Sequence, residues 1–320
     1  MSAIPEPVFV FRGLESSVNC VNFGRLNNVE VVLAGTSEGR IHVWRKCDKL
    51  RMVEEIQSTG GHGILAVGSV KEKLYYHSRG QHLRLVDLSD ERCEPLLSIP
   101  SDSYGFFSAN ICSDTSCSQA VALLPSSSSK SQCQLWTLES PCQPVSELTL
   151  DGELSPDKLG MPVSSVWIQT DPLQAAVGYE GGQLVAWDFR QTSRPLSQLH
   201  LYQSEPIMAL AYSEKAVAGL AGSASNEVAF WSCQNGCLTK WQTCQLPHEG
   251  VSSLAVRSDG RLFAVGCWDA TARLFSLKKC TSLAVLQQHR LSVNCVIFFD
   301  SDNMLAVGSK DGSVSLWTLY

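Results

Sequence analysis

The first residues that could carry chemistry are a serine and its flanking glycines. Residues 35–39 read Gly-Thr-Ser-Glu-Gly, which matches the G-x-S-x-G pattern that presents the nucleophile of many hydrolases. That arrangement requires a strand before the serine and a helix after it. The segment that follows is RIHVW, ending at Trp44, and it has the character of a strand. We therefore interpret the motif as a β-turn and predict no catalytic residues.

Three cysteines close together in the chain raise the question of a metal site. Cys233, Cys237 and Cys244 lie within twelve residues, but zinc sites favour C-x-x-C pairs, and no second pair accompanies them. We expect thiols without a metal. The chain has 13 cysteines, an odd number, and its N-terminal sequence lacks the features of a signal peptide. Reduced thiols in a cytoplasmic and/or nuclear protein are the corresponding expectation.

The sequence also argues against phosphate-binding cofactors and charged polymers as ligands. Residues 219–225 are rich in glycine, but they lack the lysine of a P-loop and a following helix, so we predict neither GTP binding nor any other cofactor. The formal net charge is −6, which is the wrong sign for nucleic acid or an anionic membrane surface. No apolar run approaches the roughly 20 residues of a membrane span.

Histidine and aspartate recur in a pattern that indicates repeated strands. From His289 to the end of the chain, three apolar runs are separated by turn sequences, the second of which is Lys310-Asp311-Gly312. Trp317 follows this turn. The unit resembles a WD40 repeat, whose opening histidine, turn aspartate and late tryptophan hold one blade of a β-propeller together.

Six further copies of this unit can be found along the chain. Their late aromatic or apolar markers are 42 to 51 residues apart, close to the roughly 40 to 45 residues of a WD40 unit. The markers are Trp44, Val86, Trp136, Trp187, Trp231, Phe275 and Trp317. We predict an all-β fold, a seven-bladed WD40 β-propeller in one domain over residues 1–320. The predicted blades are 18–56, 62–99, 103–150, 163–201, 207–245, 251–286 and 293–320.

The ends of the chain predict how the propeller closes. The last unit stops three residues after Trp317, with no outer strand. Residues 7–12 form a spare strand before the first unit, and an unpaired blade edge favours aggregation. We therefore expect this segment to complete blade 7.

The WD40 resemblance implies a hydrogen-bonded network within individual blades. In such a repeat the histidine binds the turn aspartate, and we assign this role to two pairs and one tryptophan: His248 with Asp269, His289 with Asp311, and Trp317. His62 precedes blade 2 in a similar way. At the aspartate position, blades 1 and 4 are expected to carry Glu38 and Glu180, and Phe275 in blade 6 lacks the indole donor.

A narrower resemblance concerns the family. The segments FVFRG, KLGMP, GYEGGQLVAWD and GSKDGSVSLWTLY resemble those of the guanine nucleotide-binding protein subunit beta-like family, which is related to the yeast ASTRA-associated WD-repeat protein. The resemblance implies a non-enzymatic scaffold that binds proteins such as kinase-maturation chaperone factors. It would support the stability or maturation of phosphatidylinositol-3-kinase-related kinases and DNA-damage signalling. A G-protein-β-like signalling adaptor and a β-propeller hydrolase are the alternatives. Pro5 and Pro7 disfavour the N-terminal helix that pairs with a G-protein γ subunit.

The WD40 pattern further predicts which residues face a protein partner. The residue before the turn aspartate should point to the rim of one face, together with the loops that lead into each first strand. The candidate protein-binding face is Tyr179, Trp268, Lys310, Glu249 and Arg290. Trp268 is the most informative of these, because exposed aromatics and arginines anchor protein interfaces. The alternative is that its indole packs on its own blade.

Overall fold

The computed structural model describes residues 5–46, 51–58, 60–89, 94–101, 105–113, 119–149, 156–170, 173–299 and 303–319. Within them the chain forms seven antiparallel sheets of four strands each. The all-β prediction and the prediction of seven propeller blades are confirmed. None of the helical structure in these residues has the length and hydrophobicity that crossing a bilayer requires.

The strands follow the chain from the innermost to the outermost position of each blade. Blades 1 and 2 contain β2 (Val18–Leu26), β3 (Val29–Thr36), β4 (Arg40–Arg45), β5 (Arg51–Gln57), β6 (Ile64–Val70), β7 (Lys73–Ser78), β8 (His82–Val86) and β9 (Pro95–Pro100). Blades 3 and 4 contain β10 (Asn110–Cys112), β11 (Val121–Pro125), β12 (Cys133–Thr137), β13 (Pro144–Leu148), α1 (Pro156–Leu159), β14 (Pro162–Thr170), β15 (Leu173–Tyr179), β16 (Gln183–Asp188) and β17 (Ser197–His200).

Blades 5 and 6 repeat the same order, whereas blade 7 takes its outermost strand from the start of the chain. Blades 5 and 6 contain β18 (Ala209–Ser213), β19 (Ala218–Gly222), β20 (Glu227–Gln234), β21 (Cys237–Gln245), β22 (Val251–Val256), β23 (Leu262–Cys267), β24 (Ala272–Ser276) and β25 (Ser282–Leu286). Blade 7 contains β26 (Val293–Phe299), β27 (Met304–Ser309), β28 (Val314–Thr318) and the N-terminal β1 (Phe9–Phe11).

Closure by the N-terminal strand is confirmed. β1 pairs with β28, with Phe9 opposite Leu316 and Phe11 opposite Val314. The amide of Val8 also donates to the carbonyl of Leu316 at 2.7 Å. The last sheet therefore combines strands from both ends of the chain, and β1 covers what would otherwise be the free edge of β28.

The hydrophobic core lies between the blades. Small and branched side chains on the two faces of each sheet pack against the neighbouring sheet, and each of the seven contacts between adjacent blades has its own cluster of buried residues. Phe11 belongs to the cluster between blades 7 and 1, where its ring stacks on Trp44 at a centroid distance of 4.1 Å.

The outer strands carry a second protective feature. In blades 1, 2, 3, 5 and 6 the pairing of the third and fourth strands is interrupted by a β-bulge at the marker residue of the third strand. In blade 5 this bulge places Trp241 on the circumference, half-exposed and against Phe230. Bulged outer strands are poor templates for pairing with another chain.

Candidate functional site

One backbone hydrogen bond recurs in five blades and defines equivalent rim positions. In each, the amide of the residue after the second strand donates to the carbonyl just before the innermost strand, over 2.8 to 3.1 Å. These positions are called the rim and are Ser37, Arg79, Glu180, Trp268 and Lys310. Because the bond fixes the turn against the preceding loop, the rim side chains share one face of the propeller.

Blade 7 contains a connected network of polar side chains. His289 Nδ1 lies 3.3 Å from Asp311 Oδ2, and His289 Nε2 lies 2.8 Å from the hydroxyl of Ser315. Trp317 Nε1 donates to that hydroxyl, also at 2.8 Å. Burial lowers the pKa of His289, and the Asp311 carboxylate opposes this shift. The network therefore joins the leading loop, the turn and β28 through the imidazole of His289.

The carboxylate of Asp311 is itself well satisfied. It accepts hydrogen bonds from the amides of Arg290 and Ser313, at 2.9 and 3.1 Å. Burial raises the pKa of Asp311, but the hydroxyl of Ser313 and the amide of Arg290 outweigh burial, so its pKa lies below the ordinary value. Asp311 is thus held as a charged acceptor at the centre of the turn.

Blade 6 does not have the predicted network, and the assignment of His248 was wrong. His248 is exposed, while Asp269 accepts hydrogen bonds from Thr271 Oγ1 at 2.6 Å and from Arg273 at 2.8 Å. His248 stands three residues before its innermost strand, whereas His289 stands four residues before β26. The histidine is therefore displaced by one position. Arg273, which holds the register position of Ser315, donates to Asp269 in place of a histidine.

Tyr179 does not lie on the binding face, contrary to the prediction. Its side chain is fully buried between blades 3 and 4, and the rim residue of blade 4 is Glu180. Gly178 pairs with Leu184 as Gly308 pairs with Val314, so Glu180 corresponds to Lys310 and not to the aspartate. The sequence alignment was one residue out of register, and in a strand one residue moves a side chain to the opposite face.

The innermost strands surround a cavity that opens on the rim. Every blade contributes to a cavity of about 560 Å³ in the central channel. Much of its wall is small and polar, as at Ser108, Ser165, Ser252 and Asn294. Three larger side chains line the same cavity: Arg79, Phe106 and Trp268. We call these three residues the mouth.

Trp268 is both fixed and accessible. Its indole lies against Gly250, where any Cβ would clash with the ring, and its backbone carbonyl accepts a hydrogen bond from Ser292 Oγ at 3.2 Å. The side chain nevertheless remains 47% exposed. Packing on its own blade and exposure to a partner are therefore compatible, because about half of the side chain remains exposed.

Arg79 and Phe106 were not anticipated from the sequence. Phe106 is 64% exposed in the loop that leads to β10, and the guanidinium carbon of Arg79 lies 5.2 Å from the centre of its ring. Blade 2 has Val86 and Gly80 where blade 7 has Trp317 and Asp311, so the usual markers of a rim residue are absent. A large side chain directly before the glycine of the turn was the available signal.

The other residues predicted for the binding face lie around the mouth. Lys310, Glu249 and Arg290 are exposed, but they do not line the cavity. Lys310 occupies the rim of blade 7, and Glu249 and Arg290 stand in the loops before β22 and β26. Of the five residues predicted for the protein-binding face, Trp268 is therefore the one that lines the cavity.

The remaining candidate motifs have structural explanations. Ser37 is exposed in the turn between β3 and β4 and is followed by a strand, so the turn interpretation is confirmed. Burial raises the pKa of Cys244 to about 11 and also raises the pKa of Cys233. Within the described ranges, no group of three or more His, Cys, Asp or Glu could hold a metal ion, and ten cysteines are free thiols.

Comparisons with known proteins agree with this architecture. The WD40 family model, described as WD domain, G-beta repeat, matches residues 239–276 and 280–318. An ASTRA-associated protein 1 of Schizosaccharomyces japonicus is 23% identical over 376 residues, covering 99% of this chain and all of the relative. One of Verticillium alfalfae is 23% identical over 390 residues, covering 100% of this chain and 94% of the relative.

A further relative has a higher identity over the whole chain. The guanine nucleotide-binding protein subunit beta-like protein 1 of Mus musculus is 31% identical over 326 residues, which cover 99% of this chain and 97% of the relative. The expected family resemblance is therefore confirmed. The chain belongs to the guanine nucleotide-binding protein subunit beta-like protein 1 family of WD40-repeat propellers.

Proposed function

We propose that this WD40 protein is a non-enzymatic scaffold that binds a protein partner at the mouth of its central channel. The observation that carries the proposal is Trp268, an aromatic side chain fixed against Gly250 and still 47% exposed beside an open cavity. A rigid aromatic anchor loses little conformational freedom on binding, and such residues dominate the energetics of protein interfaces.

The chemistry of the cavity wall supports binding over catalysis. Its titratable side chains are Arg79, Cys20 and Cys295. Burial raises the pKa of Cys20 to about 12, and it raises the pKa of Cys295 well above the ordinary value. Thiols with such pKa values stay protonated and are weak nucleophiles. The lining therefore offers a protein partner a shaped surface with hydrogen-bonding groups. We do not propose a hydrolase function.

The family suggests which partners to test. Two relatives bear the name ASTRA-associated protein 1, so an association with the ASTRA assembly is the first candidate for this chain. On the basis of the family resemblance, we propose that the scaffold supports the maturation of phosphatidylinositol-3-kinase-related kinases. We propose that it acts in the cytoplasm or the nucleus. The G-protein-β-like adaptor remains as the competing hypothesis.

Affinity capture with a matched pair of tryptophan variants tests the proposal. Trp268 and Trp241 are exposed to nearly the same extent, 47% and 49%, but Trp241 lies on the outer strand β21. We expect Trp268→Ala to lose kinase-maturation factors from the captured proteins and Trp241→Ala to retain them. Both variants should be checked for cooperative unfolding.

The outcomes separate the hypotheses. Capture that survives Trp268→Ala, or that falls equally with Trp241→Ala, contradicts binding at the mouth. Recovery of G-protein α or γ subunits in place of kinase-maturation factors supports the signalling adaptor.

A further inference from the structure

The mouth contains a cation whose charge is not balanced within the protein. Arg79 is half-buried at the rim of blade 2 and lines the cavity. Within the described part of the chain, none of the ion pairs involves Arg79, and its Nε atom is buried without a hydrogen-bond partner. Burying a charged side chain without an acceptor is unfavourable, and the half-exposed side chain of Arg79 can receive an acceptor from outside through its Nη groups.

Nearby charged groups on the same face are already occupied or solvated. Glu180 accepts a hydrogen bond from the amide of Met161 at 2.9 Å, and Glu15 pairs with Arg40 at 3.0 Å. Lys310 is exposed and does not line the cavity. Arg79 is therefore the charged side chain that the cavity presents to a ligand.

The position of the guanidinium is restrained by an aromatic ring. Its carbon atom lies 5.2 Å from the centre of Phe106, within the range of a cation–π contact. Such a contact restrains the guanidinium and leaves the edge that carries the two Nη groups available. That edge matches the two oxygens of a carboxylate.

We propose that the mouth selects a partner segment in which an Asp or Glu side chain stands next to an apolar side chain. The carboxylate binds Arg79, and the apolar side chain packs on Phe106 and Trp268. Phosphate recognition commonly uses clusters of arginines, whereas this mouth combines one guanidinium with two aromatic rings. The inference depends on the proposed binding at the mouth and specifies the chemistry of the partner.

Selection from a phage-displayed library of random peptides tests the inference without knowledge of the natural partner. The full chain is the bait, and Trp268→Ala identifies the peptides that bind at the mouth. We expect those peptides to be enriched in Asp or Glu adjacent to Leu or an aromatic residue. With Arg79→Gln as the bait, the acidic preference should disappear and the apolar preference should remain.

Affinities of individual synthetic peptides give the quantitative test. Changing the selected acid to its amide should weaken binding at least about tenfold, because hydrogen bonds between charged groups have this magnitude. The same change should have little further effect on Arg79→Gln. Arg79→Lys should restore only part of the affinity, since it keeps the charge without the planar fork. Lys310→Gln is the control for general attraction.

Four other results are possible, and each would contradict a specific hypothesis. Peptides that depend on Trp268 but lack acids contradict the role of Arg79 and leave the proposed function intact. An equal loss with Lys310→Gln indicates nonspecific attraction. Tighter binding of a phosphoserine peptide than of the acidic one assigns the mouth to phosphate. The absence of any Trp268-dependent peptide contradicts the proposed function itself.

Discussion

The side-chain amide of Asn294 donates hydrogen bonds to the carbonyl of Val18 at 2.8 Å and to the hydroxyl of Ser17 at 3.0 Å. This contact joins the innermost strand of the last blade to that of the first. In the same way, the side-chain amide of Asn19 in blade 1 donates a hydrogen bond to the carbonyl of Ile64 in blade 2, at 3.2 Å. The ring is therefore closed twice, by Asn294 at the channel and by β1 at the circumference.

Closure by β1 predicts unequal effects for two neighbouring phenylalanines. Phe11 is buried and stacks on Trp44, whereas Phe9 is 38% exposed. Phe11→Ala should lower the free energy of unfolding by about 3 to 5 kcal/mol, the usual cost of truncating a buried phenylalanine, and Phe9→Ala by clearly less. Denaturant unfolding of the two variants measures the difference. Equal small losses would mean that β1 contributes little to closure.

The network of blade 7 predicts a large effect at its aspartate. Asp311→Ala leaves the imidazole of His289 and the amides of Arg290 and Ser313 without their acceptor. Each orphaned group costs about 1 to 3 kcal/mol, so the variant should unfold at a markedly lower denaturant concentration. Glu214→Ala, at an exposed residue of a turn in blade 5, is the control. Similar midpoints for both variants would exclude an anchoring role for Asp311.

The sequence was sufficient for the fold because each blade repeats the same strand and turn signals. The turn aspartates, the turn glycines and the late tryptophan predicted the strands of the clear blades. Because only three residues follow Trp317, the outer strand of blade 7 had to come from another part of the chain. These signals are local. The regular spacing of the clear blades also located the blades whose own signals are weak. The closing pair β1–β28 follows from the same count of strands.

The site was harder to predict because it depends on exact register and on degenerate blades. Tyr179 and His248 were each misplaced by one residue, which the sequence cannot reveal when a turn contains two glycines or a loop is one residue shorter. Arg79 and Phe106 belong to blades 2 and 3, whose repeats are degenerate: blade 2 has Val86 in place of the late tryptophan, and a Ser-rich segment interrupts blade 3. Their proximity of 5.2 Å arises from packing between blades and has no signature in either repeat.

A buried histidine between blades 2 and 3 predicts sensitivity to mild acid. His77 Nδ1 accepts a hydrogen bond from the amide of Ala109 at 3.1 Å, and His77 Nε2 lies 3.1 Å from the hydroxyl of Ser101. Burial lowers the pKa of His77 from 6.5 to about 4. The folded state therefore binds this proton less readily than the unfolded state, and the stability contributed by neutral His77 is complete above pH 6.5 and is lost as pH falls toward 4.

The free energy of unfolding measured between pH 7.5 and pH 5 tests this dependence. One such proton changes stability by up to about 1.4 kcal/mol per pH unit within the window. His77→Gln should reduce the slope, with the remainder due to groups such as His42 and His289, whose pKa values burial also lowers. His200→Gln, at an exposed histidine, should leave the slope unchanged. An unchanged slope in His77→Gln would show that His77 is not the group that binds the proton.

Two glycines allow the position of Trp268 to be tested without altering its side chain. Gly250 and Gly260 both have positive φ angles, +95° and +69°, so alanine at either site strains the backbone by about 1 to 2 kcal/mol. At Gly250 the new Cβ would also meet the indole of Trp268, whereas at Gly260 it would approach Ala216 and Ser213 at 3.2 Å. Both variants should therefore lose stability, but only Gly250→Ala should displace the indole and reduce partner capture. Capture that remains at the wild-type level in Gly250→Ala would mean that the partner does not require Trp268 to be held in this position.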